Sequence, residues 1–234
     1  MYSRQTSKRS VRAGSDRTAA GQEVERCVEE LRSRVEQSRD EKNAERELEQ
    51  LLQLYDTLKQ RTQEDSDVFE VAFGIARVYD DQLKDSATAV RYYGEALAVL
   101  EAISSEATAW SAYMRVTTLG AFALCHENLG QHEEAETYFN DAIGTYNEHC
   151  DRAGASGDSE EKASDADNSL LVDLNATAAM IHYHFAGNLL AQERWDEART
   201  VTEIALVLAE NSEMPLEELE ELQHHVHELW LEME

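Results

Sequence analysis

The sequence predicts an all-α protein, a stack of antiparallel helix hairpins closed by a C-terminal capping helix. Three observations carry this prediction. The stretch from Leu119 to Tyr146 places Leu119, Phe122, Ala123, His126 and Leu129 on one helix face, and Ala135, Tyr138, Phe139, Ala142, Ile143 and Tyr146 on a second. Gly130 stands between them, where glycine takes the left-handed cap conformation without steric cost. The same spacing recurs in Ala89, Tyr92, Tyr93, Ala96 and Leu97, and in Ala198, Val201, Thr202, Ala205 and Leu206. Each is preceded by a matching first helix: Ile75-Ala76-x-x-Tyr79, Phe122-Ala123-x-x-His126 and Phe185-Ala186-x-x-Leu189. Finally, one proline and ten glycines in 234 residues leave little punctuation for a β protein.

These residues resemble the tetratricopeptide repeat (TPR) family, whose pattern runs W-x2-L-G-x2-Y, then A-x3-F, then P. Ala72, Leu119 and His182 stand at the tryptophan position, alanine follows the Leu position in all three copies, and Glu101, Asn147 and Glu210 replace the closing proline. Successive copies lie 46 residues (Ala89 to Ala135) and 63 residues (Ala135 to Ala198) apart, against about 34 in the family. The likeness covers about residues 67–210 and is closest to divergent, long-helix members. It implies a right-handed α-α superhelix, a solenoid of hairpins that is not an enzyme and that holds protein segments.

Taken in order, residues 1–21 are rich in Arg and Ser and read as a disordered basic tail. Residues 22–62 form a helical pair, a degenerate or capping repeat: Val24, Val28, Leu31 and Val35 make a short seam, the pattern breaks at 37–43, and Ala44, Leu48, Leu51, Leu52, Tyr55 and Leu58 resume it. The repeats occupy 67–210. The first has Asp85 and Ser86 as candidate caps between its helices. In the second, Trp110, Met114 and Thr117 extend the pattern upstream of Leu119, so its first helix is expected to exceed twenty residues. Residues 151–168 lack apolar periodicity and read as an inserted acidic loop. Residues 212–234 supply the capping helix, with Pro215, Glu217 and Glu218 at its start and an inner stripe of Leu216, Leu219, Leu222, Val226, Leu229 and Trp230.

No phosphate-binding glycine loop, nucleophile elbow or zinc-spaced cysteine pair occurs, so no catalytic residue, metal site or cofactor is assigned. His224, His225 and His227 with Glu221 and Glu228 allow a surface metal site geometrically, but solvated helix surface is the plainer reading. His182 falls at a core position and reads as a packed histidine. The three cysteines, Cys27, Cys125 and Cys150, show no pairing and fit a reducing, cytoplasmic setting, with Cys125 in the core.

Function is therefore sought in surface. In a stack of hairpins the first helices line the concave wall. The candidate groove residues are Glu70, Phe73, Arg77 and Asp80, then Thr117, Gly120, Leu124 and Glu127, then Met180, Tyr183, Gly187 and Leu190. Such a wall suits a peptide or helix of a partner protein, unless the chain's own terminal helix or loop fills it. TPR proteins that grip chaperone C-termini use lysines and asparagines here, and only Arg77 is cationic. Charge points the same way. Residues 1–20 carry Arg4, Lys8, Arg9, Arg12 and Arg17 against Asp16, a net +4, which leaves −31 of the total −27 on the other 214 residues. A body this acidic repels nucleic acid and anionic membranes and attracts basic partners, although excess acid also serves solubility alone. The expectation is a non-catalytic adaptor or scaffold, monomeric or within a hetero-complex. The alternative is a permanently bound subunit of a large cytoskeletal or axonemal assembly.

Overall fold

The structure, a computed structural model, describes residues 9–40, 42–60, 66–103, 108–155, 165–212 and 215–232. All described elements are helices: α1 (Arg9–Asp40), α2 (Ala44–Lys59), α3 (Ser66–Arg77) running into a π-helical turn (Val78–Gln82), α4 (Ser86–Ile103), α5 (Ala109–Asn128), α6 (His132–Ala155), α7 (Asp165–Ala191), α8 (Trp195–Glu210) and α9 (Leu216–Glu232). Helices pair as α1–α2, α3–α4, α5–α6 and α7–α8, each pair packs on the next, and α9 closes the stack against α7 and α8.

The small residues that define the repeats permit this packing. Ala76, Ala89, Ala123, Ala135, Ala186 and Ala198 are all fully buried, so the paired backbones approach closely. Aromatic rings fill the space between: Tyr79 stacks on Tyr92 at 5.9 Å, and Phe122 meets Tyr138 at 4.4 Å. The third repeat carries Thr202 where the others carry Tyr93 and Phe139, and its hydroxyl donates to the Ala198 carbonyl at 2.7 Å. The core is accordingly a train of three clusters, over α1–α5, α5–α8 and α7–α9. Cys125 lies in the first of them and His182 is buried, its Nδ1 2.7 Å from the Ala178 carbonyl.

One turn geometry repeats four times. Lys42, Lys84, Gly130 and Glu193 all take positive φ, between 52° and 72°. In three of the turns the next N–H reaches back five residues: Asn43 to Ser38, Gln131 to His126, and Arg194 to Leu189. This satisfies carbonyls that the helix end leaves free. In the α3–α4 turn the π-helical turn widens the loop by one residue, so that Leu83 donates to Val78 and Asp85 to Tyr79. Asp85 then caps α4 by accepting from the Thr88 N–H at 3.1 Å, whereas Ser86 is already helical. Asn43 caps α2 in the same way.

Four expectations shift. Helix α1 begins at Arg9, so the stretch read as a disordered tail is helical from there on, continuous with the turns anchored by Val28, Leu31 and Val35; residues 1–8 lie outside the described ones. The break at 37–43 contracts to a turn, because α1 continues to Asp40. Helix α5 spans 20 residues and does not exceed them. The loop at 151–168 loses both ends, since α6 runs to Ala155 and α7 starts at Asp165. Alanine and carboxylate side chains continue a helix already held by packing. Residues 156–164 lie outside the described ones.

Candidate protein-binding groove

The odd-numbered helices α3, α5, α7 and α9 follow one another along one wall of the stack, and their spacing is set by residue size. Gly120 of α5 faces Ile181 of α7 so closely that a β-carbon there would sit 2.9 Å from the isoleucine side chain. Nearer its start α5 carries Trp110, Tyr113 and Met114. Trp110 meets Phe69 of α3 edge to face at 6.0 Å, and α3 and α5 stand apart.

The gap is a cleft of about 410 Å³ lined by Phe73, Arg77, Asp80, Asp81, Tyr93, Tyr113, Met114, Thr117, Ala121 and Leu124. A smaller one of about 210 Å³ follows between α5 and α7, lined by Thr117, Gly120, Ala121, Leu124, Phe139, Thr177, Met180, Ile181 and His184. Thr117 and Leu124 border both, so the two are adjoining parts of one groove. The Thr117 hydroxyl is buried there and, among the described residues, has no hydrogen-bond partner.

The structure thus brings seven of the twelve sequence-assigned residues to these clefts: Phe73, Arg77, Asp80, Thr117, Gly120, Leu124 and Met180. Glu70 lines a separate recess between α1 and α3, with Arg32, Glu36 and Arg39. Glu127 lies in the last turn of α5, where burial raises its carboxyl pKa to about 7. Among the described residues, none lies within 4 Å of a β-carbon placed at Gly187. The remaining two are covered. Tyr183 stacks on His225 of α9 at 5.9 Å, and Leu190 is a core residue in a cluster that takes in Leu229 of α9. The terminal helix therefore occupies the far end of the wall, and an apolar leucine there is better enclosed than wet.

Electrostatics along the groove is uneven. The Arg77 guanidinium holds Asp81 through two contacts of 3.1 Å. Asp80 is half-buried, and desolvation, with the neighbouring Asp81 adding to it, holds its pKa above the usual carboxylate range, while a hydrogen bond from the Cys125 thiol acts against the rise. Burial, reinforced by His225, lowers the His184 pKa to about 4. The His224–Glu228 contact is 3.5 Å and exposed, and among the described residues no group of three His, Cys, Asp or Glu side chains is placed to hold a metal ion.

The groove assignment left out Tyr113 and Met114, although Met114 already stands on the pattern extended upstream of Leu119; carrying the stripe one more turn back from Thr117 includes both. It missed Asp81 because no pattern marks a π-helical turn, and His184 because no repeat position marks it.

The tetratricopeptide-repeat family profile matches residues 116–149, the second half of α5 with most of α6. Two crystal structures are similar over most of the chain. One is BtubC (BKLC) from P. vanneervenii, 17% identical, covering 88% of this chain and 83% of that one, with a TM-score of 0.54. The other, a single-residue variant of nearly identical TPR-like repeats from a Podosopora anserina chain assigned as a kinesin light chain, is 15% identical, covers 88% and 93%, and has a TM-score of 0.55. No curated protein sequence matches the chain.

Proposed function

We propose, from the premise that this chain is a tetratricopeptide-repeat solenoid, that it is a non-catalytic scaffold holding a segment of a partner protein against α3, α5 and α7. The groove supports this reading: two adjoining clefts cross two repeat boundaries, and their walls mix exposed apolar side chains such as Met180 with a few charged ones. Peptide recognition needs an apolar trough for contact area and scattered polar groups for register. The test is capture of partners from native extract by the purified chain, comparing wild type with Leu124→Glu and Met180→Glu. The expected result is loss of one specific partner from both variants with circular dichroism unchanged. Equal capture by all three proteins would end the reading.

One observation favours a second reading, a permanently bound subunit of a larger assembly. Ile204, Val207 and Leu231 leave apolar surface exposed on α8 and α9, as a stack does where another chain completes it. Under that reading Val207→Glu, and not Leu124→Glu, abolishes capture.

A further inference from the structure

We propose that the cleft between α3 and α5 is a socket for one lysine or arginine side chain of the bound segment, with Asp80 as its counter-ion and Phe73 and Tyr113 among its walls. The proposal rests on the groove reading above and gives that groove a chemistry.

Charge pairing singles out Asp80. Three ionisable groups of α3 and its π-helical turn line the cleft, Arg77, Asp80 and Asp81. Arg77 is already committed to Asp81. Among the described residues Asp80 has no ion pair; the buried Cys125 thiol and, at longer range, Lys84 act on it. A carboxylate half-removed from water, with lone pairs to spare, gains most from a cation that brings its own donors.

The walls fit the rest of such a side chain. Phe73 is held by Phe69 at 6.0 Å and by Tyr93 at 5.6 Å, so its ring is fixed before anything binds. Tyr113, Met114 and Leu124 complete an apolar sleeve for the methylene stem, while the aromatic faces attract the charged head. An acidic segment is opposed by Asp80 and by the net charge of the whole chain, −27. A purely apolar one would strip Asp80 of its remaining water without replacing it.

The π-helical turn builds this arrangement. Its wide turn, closed by the Leu83 N–H on the Val78 carbonyl at 3.1 Å, presents two consecutive aspartates at the mouth of the cleft. One of them satisfies Arg77 and the other stays available. Such turns inside α-helices are frequent at functional sites.

The test is selection of a displayed library of random twelve-residue peptides against the full chain, followed by binding of the enriched peptides to wild type, Asp80→Asn, Glu133→Gln and Leu124→Glu at low and high salt. Glu133 is exposed in the first turn of α6, so its variant controls for net charge alone. The expected outcome is that enriched peptides carry Lys or Arg beside apolar residues. Replacing that one residue by Gln, or Asp80 by Asn, weakens binding about tenfold, the effect of one partly desolvated ion pair, while Glu133→Gln does not. Phe73→Leu weakens Arg peptides more than their Gln counterparts. Enriched peptides without a basic residue, or affinities indifferent to Asp80→Asn yet lost in Leu124→Glu, overturn the socket and leave the groove reading standing. Absence of any enriched peptide, or binding untouched by Leu124→Glu, overturns both.

Discussion

At the residue scale, the glycines separate packing from propensity. Gly120→Ala sets the gain of a better helix former, about 1 kcal/mol, against a β-carbon 2.9 Å from Ile181, and overpacking of that kind costs about 1–3 kcal/mol. The clash prevails, and the variant should lose about 1 kcal/mol in urea unfolding. Gly144 and Gly187 also lie inside helices, but none of the described residues approaches within 4 Å of a β-carbon placed at either; their alanine variants should gain about 0.5–1 kcal/mol. A stabilised Gly120→Ala would show that α5 and α7 do not touch as described.

Two titratable residues give opposite pH trends. His184 has its pKa lowered to about 4 by burial, so the unfolded chain binds the proton first as pH falls. Its contribution is complete near neutrality and lost between about pH 6.5 and 4. Glu127, raised by burial from its ordinary 4.5 to about 7, behaves inversely: the folded state holds the extra proton, and stability from this group is present below about pH 4.5 and lost as pH rises through 7. In urea midpoints at pH 5 and 7.5, His184→Gln should remove an acid destabilisation on the order of 1 kcal/mol, and Glu127→Gln an alkaline one of similar size.

At the element scale, the turns matter more than the helices they join. Four hairpins close through a left-handed residue, yet Gly130 alone among them is glycine; Lys42, Lys84 and Glu193 hold the same conformation with a side chain attached. Left-handed backbone at a non-glycine costs about 1 kcal/mol or more, partly offset by the larger entropy that a glycine loses on folding. Lys84→Gly and Glu193→Gly should therefore each raise stability by about 0.5 kcal/mol, and Gly130→Ala should lower it by about 1 kcal/mol. Thermal or denaturant unfolding of the three variants checks the set. A loss in Lys84→Gly would mean that the turn after the π-helical segment is not left-handed.

At the scale of the whole molecule, a net charge of −27 on 234 residues acts against compaction. Among the described residues, ion pairs across elements join Arg32 to Asp67, Arg39 to Glu47, Arg115 to Glu101, and Arg194 to Glu136, each of them local. Self-repulsion is long-range, and salt shortens its reach from about 30 Å at 0.01 M to about 3 Å at 1 M. Stability should therefore rise with sodium chloride, by a few degrees in Tm between about 0.01 and 0.5 M, instead of falling as surface pairs are screened. A falling Tm would mean that the surface pairs outweigh the repulsion.

The sequence by itself determined which faces are buried. Alanine at 76, 123 and 186 opposite alanine at 89, 135 and 198 permits one mode of close helix pairing, and periodicity places the aromatic residues beside them; all six alanines are fully buried. It also assigned twelve residues to one wall, because a stripe not spent on the partner helix must face outward, and seven of them border the clefts. The distance between neighbouring hairpins was decided only by tertiary structure. Whether α5 closes on α7 and stands off from α3 depends on Gly120 meeting Ile181 and on Trp110 meeting Phe69, contacts between residues far apart in the chain that no local period encodes. The π-helical turn at 78–82 and the stacking of Tyr183 on His225 of α9 belong to the same class. Periodicity fixes what a helix must hide; the sizes of side chains that meet across hairpins fix where a groove is left open.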